Sequence, residues 1–536
     1  MSSDPGVCAT SATLPALLDE LAVRHAEREA LISTRGRVRF RELSALASSV
    51  AGALAARGVG RGTRVGLLLP NWPEWLAIAF GVWRCGGLLV PLSTLYRPRE
   101  LAHAIERAEV SVLVAVRRFL SHDYAANLET IAPGIARGAR PGFGALRELI
   151  LLESPAPLDL RPLLGGAAGD PGAGPAPDEP ATIVFTSGST AEPKGAVHTH
   201  AALRLAAEGD AAVLGIEPED RTWGYLPFFF AGGLVAVALA TLSRGAAVML
   251  QDVFEPGETL RLLEAERVSV FFAWPHQAEA LIAHPSFSAT RLQLRKGVGA
   301  NTKWAPALYG PGHHAVGSYG MTETLPLCAA WPWNASLERR SQSHGPPIGG
   351  RELRIVDPET GAVLAPGAEG EICVRGPELL IGYCGEPPGA CLDAERFFHT
   401  GDLGRLDGDG ALHFVGRLKD VIKTAGANVA AAEVEAVLLE HPAVGSAYVV
   451  PIPDARRGED VAAFVVLASP LPEEELLAHC RNRLASYKVP RRIWVRREDA
   501  LPTKGSGKVD KSQLRVEAAR LTAAGGPAGS RPDGSR

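Results

Sequence analysis

Thr182-Ile183-Val184-Phe185-Thr186-Ser187-Gly188-Ser189-Thr190-Ala191-Glu192-Pro193-Lys194-Gly195 is the stretch on which the reading of this chain turns. An apolar strand, Thr182 to Phe185, runs into a loop of hydroxyls and glycine that ends on a lysine. Hydroxyls and backbone N–H groups in such a loop can cradle phosphate oxygens, and the lysine adds a point charge. The loop is not a Walker A sequence, because Pro193 precedes Lys194 and Gly195 follows it, whereas that motif needs G-x-x-x-x-G-K-[ST]. Nor does it have the G-x-S-x-G spacing of a nucleophile elbow. Taken alone it is either a phosphate loop or a polar turn after a strand.

Upstream of it, helical and strand patterns alternate. Leu14–His25 reads as a helix, and Phe40–Arg57 as an amphipathic one with Leu43, Leu46, Val50 and Leu54 on one face. Arg64–Leu69 is a short apolar strand, Trp75–Arg84 a helix, Gly87–Val90 a strand, Pro98–Glu109 a helix and Val110–Val116 a strand. Strands alternating with helices predict a parallel sheet covered by helices. Residues 134–180, rich in Gly, Ala and Pro, read as a surface excursion around one strand, Leu149–Leu152. A second α/β run follows to about His314. Residues 345–415 carry short strands and turn signals such as Asp407-Gly408-Asp409-Gly410, which predicts a small β unit. From Gly416 the pattern is mixed, with helices at Ala431–Leu439 and Glu473–Leu484 and strands near Ala447–Pro451 and Ala462–Leu467. The expected fold is therefore α/β: a large N-terminal domain of helix-covered mixed sheets plus a small β unit (1–416), a smaller α+β C-terminal domain (417–519), and a disordered tail (520–536).

Composition narrows the function classes. With 46% hydrophobic and 21% charged residues among 536, the chain can bury large cores and is not intrinsically disordered. A net charge of −4 gives no reason to expect nucleic acid. The seven cysteines form no CxxC pair, which suits a reducing compartment better than a disulfide framework. The first ten residues lack a signal-peptide pattern, and apolar stretches such as Gly232–Leu242 are too short to span a bilayer. A cytoplasmic location is expected. Only nine lysines occur among the 55 basic residues, and none precedes Lys194; a chain that otherwise uses Arg keeps Lys where a compact ammonium is required.

The loop at 186–195 resembles the signature of the adenylate-forming superfamily, [ST]-S-G-[ST]-[ST]-G-x-P-K-G, with Ala191 at its middle glycine. Further likenesses recur in order. Ser318-Tyr319-Gly320-Met321-Thr322-Glu323 resembles Y-G-x-T-E, which implies Tyr319 against adenine, Thr322 on phosphate and Glu323 on Mg²⁺. His399-Thr400-Gly401-Asp402 resembles the T-G-D motif, whose Asp takes the ribose hydroxyls. Gly416-Arg417-Leu418-Lys419-Asp420-Val421-Ile422-Lys423 resembles G-R-x-[KD]-[DE]-x-I-K, which implies Arg417 on the nucleotide and Lys419 as a hinge. Lys423 and Gly426 fall where the family approaches CoA, and Tyr487-Lys488-Val489-Pro490 also fits. Leu501-Pro502-Thr503-Lys504-Gly505-Ser506-Gly507-Lys508-Val509 resembles L-P-x-[TK]-x-x-G-K-[IV], making Lys508 the adenylation lysine. Thr186, Ser187, Gly188, Ser189, Thr190, Gly299, Ala300, Ser318, Tyr319, Gly320, Asp402 and Arg417 are the implied ATP contacts. Lys508, Thr322, Glu323 and Lys194 are the implied catalytic groups. Lys194, Lys419, Lys423, Lys488 and Lys508 all lie in these motifs.

Tyr225 to Leu234 resembles the acyl-site segment L-P-x-F-H-x-x-[GA], with Phe230 where amino-acid adenylating relatives carry Asp. Phe230 cannot pair with an α-ammonium, and burying that charge unpaired is costly. The acyl pocket is therefore expected to be apolar, lined by Phe229, Phe230, Gly232, Val298 and Leu325, with Phe271, Phe272 and Trp274 as further candidates.

The resemblance implies an AMP-forming acyl-CoA synthetase whose small C-terminal domain is a mobile lid. A hydrophobic carboxylic acid would react with ATP and Mg²⁺ to give acyl-AMP, and then with CoA. An acyl carrier protein's pantetheine is the alternative acceptor. A non-catalytic nucleotide-binding homologue is a second alternative. A dinucleotide oxidoreductase is opposed by the lack of G-x-G-x-x-G between a strand and a helix.

Overall fold

The alternation along residues 14–130 becomes helices Leu14–Arg24, Phe40–Ala56, Pro73–Arg84 and Pro98–Arg107 around strands Arg64–Leu68, Leu88–Pro91 and Val112–Val116. Local chemistry sets the helix starts. Thr13 caps the first, its hydroxyl accepting from the Ala16 N–H at 3.2 Å, and proline opens the third and fourth. Pro73–Arg84 is apolar on every side, and it is accordingly buried from Trp75 through Trp83, packed on helix Phe40–Ala56.

The computed structural model describes residues 12–135, 143–153, 160–166, 168–186, 193–300, 302–424, 427–454, 458–504 and 508–524. It divides into two compact units. The first is Met1–Leu353 with Val374–Phe398 and Gly408–Leu412; the second is Arg354–Cys373, His399–Asp407 and His413–Arg536.

The first unit holds two large sheets. One has seven strands in the order Gly382–Tyr383, Gly195–Thr199, Pro180–Phe185, Leu88–Pro91, Arg64–Leu68, Val112–Val116, Glu148–Leu152. Its last five are parallel neighbours, as the alternation requires. Its first two are joined antiparallel, which makes the sheet mixed. The other has six strands in the order Lys296–Gly297, Val270–Phe271, Arg221–Gly224, Ala247–Leu250, Glu29–Ser33, Gly36–Arg39. The hairpin at 29–39 was not expected, because its outer strand is half polar and carries no alternation. The apolar run from Gly232 is a π-helix to Leu239 continued by an α-helical turn to Ser243, almost wholly buried.

The second unit holds the greater part of a four-stranded sheet, Glu352–Val356, Gly370–Arg375, Phe398–Leu406, Leu412–Arg417, in that order. It also holds a five-stranded sheet built on Val444–Asp454 and Gly458–Leu467. Helix Ala431–Leu439 forms as expected, and the second helix stops at Arg481 rather than Leu484. The last helix runs Lys511–Ala524. The segment expected as a disordered tail from 520 therefore begins helical, because Leu514 and Ala518 bury fully in a core with Phe464 and draw Leu521 onto it. Residues 525–536 lie outside the described ones. No helix among the described residues is long and apolar enough to cross a membrane.

Candidate active site

The hydroxyl-rich loop leaves the strand Pro180–Phe185 and returns as the strand Gly195–Thr199. Register Phe185↔Gly195 and a 2.8 Å bond from the Thr186 N–H to the Lys194 carbonyl close its neck. Both flanks are thus fixed to the sheet. Ser187, Gly188, Ser189 and Thr190 lie outside the described residues. The Lys194 side chain is half exposed; its Nζ sits 4.7 Å from the centre of the Tyr383 ring and 4.0 Å from Glu386.

Ser318, Tyr319, Gly320 and Met321 form one strand of a tight antiparallel hairpin with Leu325–Ala330. Gly320 is required there, since a Cβ would stand 2.2 Å from the Pro326 carbonyl oxygen. Tyr319 is buried, at 6% exposure. The turn at 321–324 carries Thr322 and Glu323. The Thr324 hydroxyl accepts from the Met321 N–H at 3.1 Å, and Leu325 follows with φ +61, a strained value for a branched residue.

Four residues that hold this turn were missed from sequence. His198 is fully buried, and its Nε2 lies 2.9 Å from the Thr322 carbonyl, so that nitrogen carries the proton. Burial above all holds its pKa down to about 4, so the ring is neutral. Arg351 donates to the Thr324 carbonyl at 3.0 Å and pairs with Glu378 at 2.6 Å, both side chains buried. Leu380 donates its N–H to the Glu323 carbonyl at 2.9 Å. The Tyr383 hydroxyl donates to Glu323 Oε1 at 2.9 Å. Burial, then the Glu323 charge, push the tyrosine pKa upward, so the hydroxyl stays a donor. None of these residues has a local sequence signature: each acts through a partner that is distant along the chain.

The donor set at the turn, a carboxylate and a threonine hydroxyl, is hard oxygen. It suits Mg²⁺, which takes one or two carboxylates and completes its shell with water and phosphate. Gly299 and Ala300 lie on a short segment after the strand Lys296–Gly297, and both N–H groups donate to the Val316 carbonyl. Lys296, outside the motifs, is a buried structural cation, 2.7 Å from Asp220.

At the expected acyl site Phe229 is buried and Phe230 half-buried, their rings edge-on at 4.6 Å. Phe230 meets the Trp274 edge at 6.3 Å. A Cβ on Gly232 would meet nothing within 4 Å, so space is left beside it. Asn71 pins the segment: its Nδ2 donates to the Gly224 and Leu226 carbonyls at 3.0 and 2.8 Å, and its Oδ1 accepts from the Phe228 N–H at 3.0 Å. Phe271, Phe272 and Leu325 are buried in the main cores, and Val298 packs against one of them.

In the second unit Asp402 is 2% exposed and pairs with Arg417 Nε at 2.7 Å. The turn before it is fixed by the strand Gly370–Arg375: Thr400 donates to the Ile372 carbonyl at 2.7 Å, the Gly401 N–H donates to Glu371 Oε1 at 3.0 Å, and His399 Nδ1 meets Glu371 Oε2 at 2.8 Å. Lys419 sits on a single helical turn between the strands Leu412–Arg417 and Val421–Thr424; burial, then Arg417 and the lysines 504 and 511, lower its pKa. Lys423 lies in the latter strand, opposite Asn428, and Gly426 is outside the described residues. Lys488 is engaged by Glu433 at 2.7 Å. The Lys504 N–H bonds to the Lys508 carbonyl at 2.8 Å. Crowding by protein, then the charges of Arg417 and Lys504, lower the Lys508 pKa. Arg417 and Asp402 are thus paired within this unit, and the Arg417 charge is felt at Lys508.

Residues 18–384 match the AMP-binding enzyme family and residues 433–508 the AMP-binding enzyme C-terminal domain. The chain is similar to a feruloyl-CoA synthase of an Amycolatopsis species, 35% identical over 484 residues, 89% of this chain and 93% of that protein. Among solved structures it is similar to an anthranilate CoA ligase in complex with anthranoyl-AMP, with TM-score 0.84 and 26% identity over 96% of this chain and 99% of that one. It is also similar to o-succinylbenzoate CoA synthetase of Bacillus subtilis in complex with ATP and magnesium ion, with TM-score 0.77 and 29% identity over 94% of this chain and 98% of that one.

Proposed function

This chain belongs to the AMP-binding enzyme family, an AMP-forming acid–thiol ligase by its relatives, and on that footing we propose that it activates a hydrophobic carboxylic acid with MgATP and passes the acyl group to CoA. The observation that carries the choice of acid is Phe230, which has Phe229 and Trp274 beside it and offers no carboxylate to pair with an α-ammonium. Aromatic or alicyclic monocarboxylates suit such a wall. Two of the relatives are named for aromatic acids, ferulate and anthranilate.

In the first half-reaction a substrate carboxylate oxygen attacks the α-phosphorus of ATP, and the bond to the bridging oxygen breaks to release pyrophosphate. No protein nucleophile is required; the residues position the reactants and stabilise charge. Lys194 and the hydroxyl loop hold phosphate oxygens, Thr322 meets phosphate, Asp402 holds the ribose hydroxyls, and Arg417 touches the ribose or phosphate. Lys508 stabilises the negative charge between the carboxylate and the α-phosphate. Glu323 would hold Mg²⁺, which supplies neutralisation of the phosphate charge. In the second half-reaction the CoA sulfur attacks the acyl carbon, AMP leaves, and the thiol proton passes to solvent. A turn about Lys419 withdraws Lys508 between the two steps. We place this chemistry in the cytoplasm, a reducing setting that seven cysteines without a CxxC pair suit.

The test is carboxylate-dependent ATP–pyrophosphate exchange without thiol, over linear, aromatic, alicyclic and amino acids, followed by CoA and holo-carrier protein as acceptors. Exchange with apolar acids and turnover with CoA are expected. Exchange with α-amino acids in preference, or turnover with the carrier protein alone, would overturn the respective halves of the proposal.

A further inference from the structure

We infer that Tyr383 is a positioning residue that joins the two charged groups of the MgATP site, its hydroxyl orienting Glu323 and its ring face holding Lys194. The inference rests on the reading of Glu323 as the metal-holding carboxylate and of Lys194 as the phosphate cation.

The backbone places this side chain with little latitude. Gly382–Tyr383 is the edge strand beside Gly195–Thr199, with Tyr383 opposite Ala196 and therefore two residues from Lys194. The Ile381 and Cys384 N–H groups bond to the Val197 and Gly195 carbonyls at 2.9 and 2.8 Å, so the strap is pinned on both sides of the tyrosine. One residue before that, the Leu380 N–H holds the Glu323 carbonyl at 2.9 Å. The segment 380–384 thus fastens the Glu323 turn to the strand that emerges from the phosphate loop. Tyr383 repeats the connection with its side chain: hydroxyl to Glu323 Oε1 at 2.9 Å, ring centre to Lys194 Nζ at 4.7 Å.

The two contacts ask for different parts of one residue. A carboxylate that must meet a metal with one orientation gains from a fixed donor on an oxygen. A lysine must be held by something that does not neutralise it, and a ring face attracts the ammonium and leaves its protons available for phosphate. Glu386, 4.0 Å from Lys194, is a looser and partly exposed partner that contributes little. Tyrosine supplies both a donor and a face; phenylalanine would supply only the face.

The experiment reads equilibrium binding apart from turnover. Mn²⁺ serves as the probe ion, followed by electron paramagnetic resonance in the presence of ATP, and metal-free ATP binding is measured by calorimetry. Tyr383→Phe retains the packing, which a thermal melt checks. It should weaken Mn²⁺ binding in the ATP complex about tenfold and leave metal-free ATP binding unchanged. Tyr383→Leu should also weaken metal-free ATP binding several-fold. Glu323→Gln and Lys194→Ala test the underlying reading: the first should abolish the Mn²⁺ signal and the second should weaken ATP. If Glu323→Gln loses Mn²⁺ and Tyr383→Phe does not, the positioning role is overturned. If Lys194→Ala weakens ATP and Tyr383→Leu does not, the ring–ammonium contact has no role. If Glu323→Gln binds Mn²⁺ as the wild type does, the reading of Glu323 itself is overturned.

Discussion

Replacing Asp210 by Asn should stabilise the first unit, and by an amount that grows with pH. Asp210 lies on helix His200–Leu214, is wholly buried, and has no hydrogen-bond partner for either carboxylate oxygen among the described residues. Burial raises its pKa well above the ordinary value, against the attraction of Arg351; the neighbouring Glu378 pushes it the same way. Arg351 is already paired with Glu378, so a second anion there would be uncompensated. The sign follows from linkage. A carboxyl whose folded pKa is raised contributes stability that is fully present below its unfolded pKa, about 3.9, and is lost as pH rises through the folded value. Each pH unit in that window costs about 1.4 kcal/mol. Asn has the same shape and cannot ionise, so Asp210→Asn escapes the loss. Its advantage should grow from pH 4 to pH 6, at up to about 1.4 kcal/mol per pH unit. Urea unfolding followed by tryptophan emission measures it, since every tryptophan but Trp494 lies in the first unit. A variant less stable than wild type, or a difference that does not change between those pH values, would refute the reasoning and mean that Asp210 is an anion serving Arg351.

Histidines work in the opposite direction. His198 and His200 are buried with pKa values held down to about 4, so their contribution is present above about 6.5 and is lost as pH falls through about 4; His200→Gln should flatten the acid limb of the stability curve measured by urea unfolding. Lys508→Ala should slow acyl-AMP formation by about 10² to 10³ while thioester formation from supplied acyl-AMP persists, which pyrophosphate exchange and thiol consumption read separately. Asp402→Asn should weaken ATP binding about 10- to 100-fold, the value of charge-assisted hydrogen bonds, as calorimetry would show.

Much of this was legible in the chain. The α/β alternation follows from periodicity, and helix Ala431–Leu439 matches its expected bounds, because local propensity and burial agree there. The charged groups of the motifs are singled out by resemblance, because each sits in a short contiguous segment that can be compared with the family's pattern. The tail from 520 misled because the helix Lys511–Ala524 is held by tertiary packing of Leu514 and Ala518, not by composition. The hairpin at 29–39 was missed because strand pairing, unlike a helix, is made with a partner elsewhere.

The same distinction separates what sequence by itself determined from what only tertiary structure decided. Lys194, Thr322, Glu323, Asp402 and Lys508 are named in order by the resemblance of their short segments to the motifs of one family. Tyr383, His198, Arg351, Glu378 and Asn71 are not. Their roles exist only where the fold brings a ring to an ammonium, an imidazole to a carbonyl 124 residues away, or an amide to a turn 155 residues away. Hydrogen bonds and ion pairs are contacts in space, and for Tyr383 the register of the sheet edge at Gly382–Tyr383 sets them.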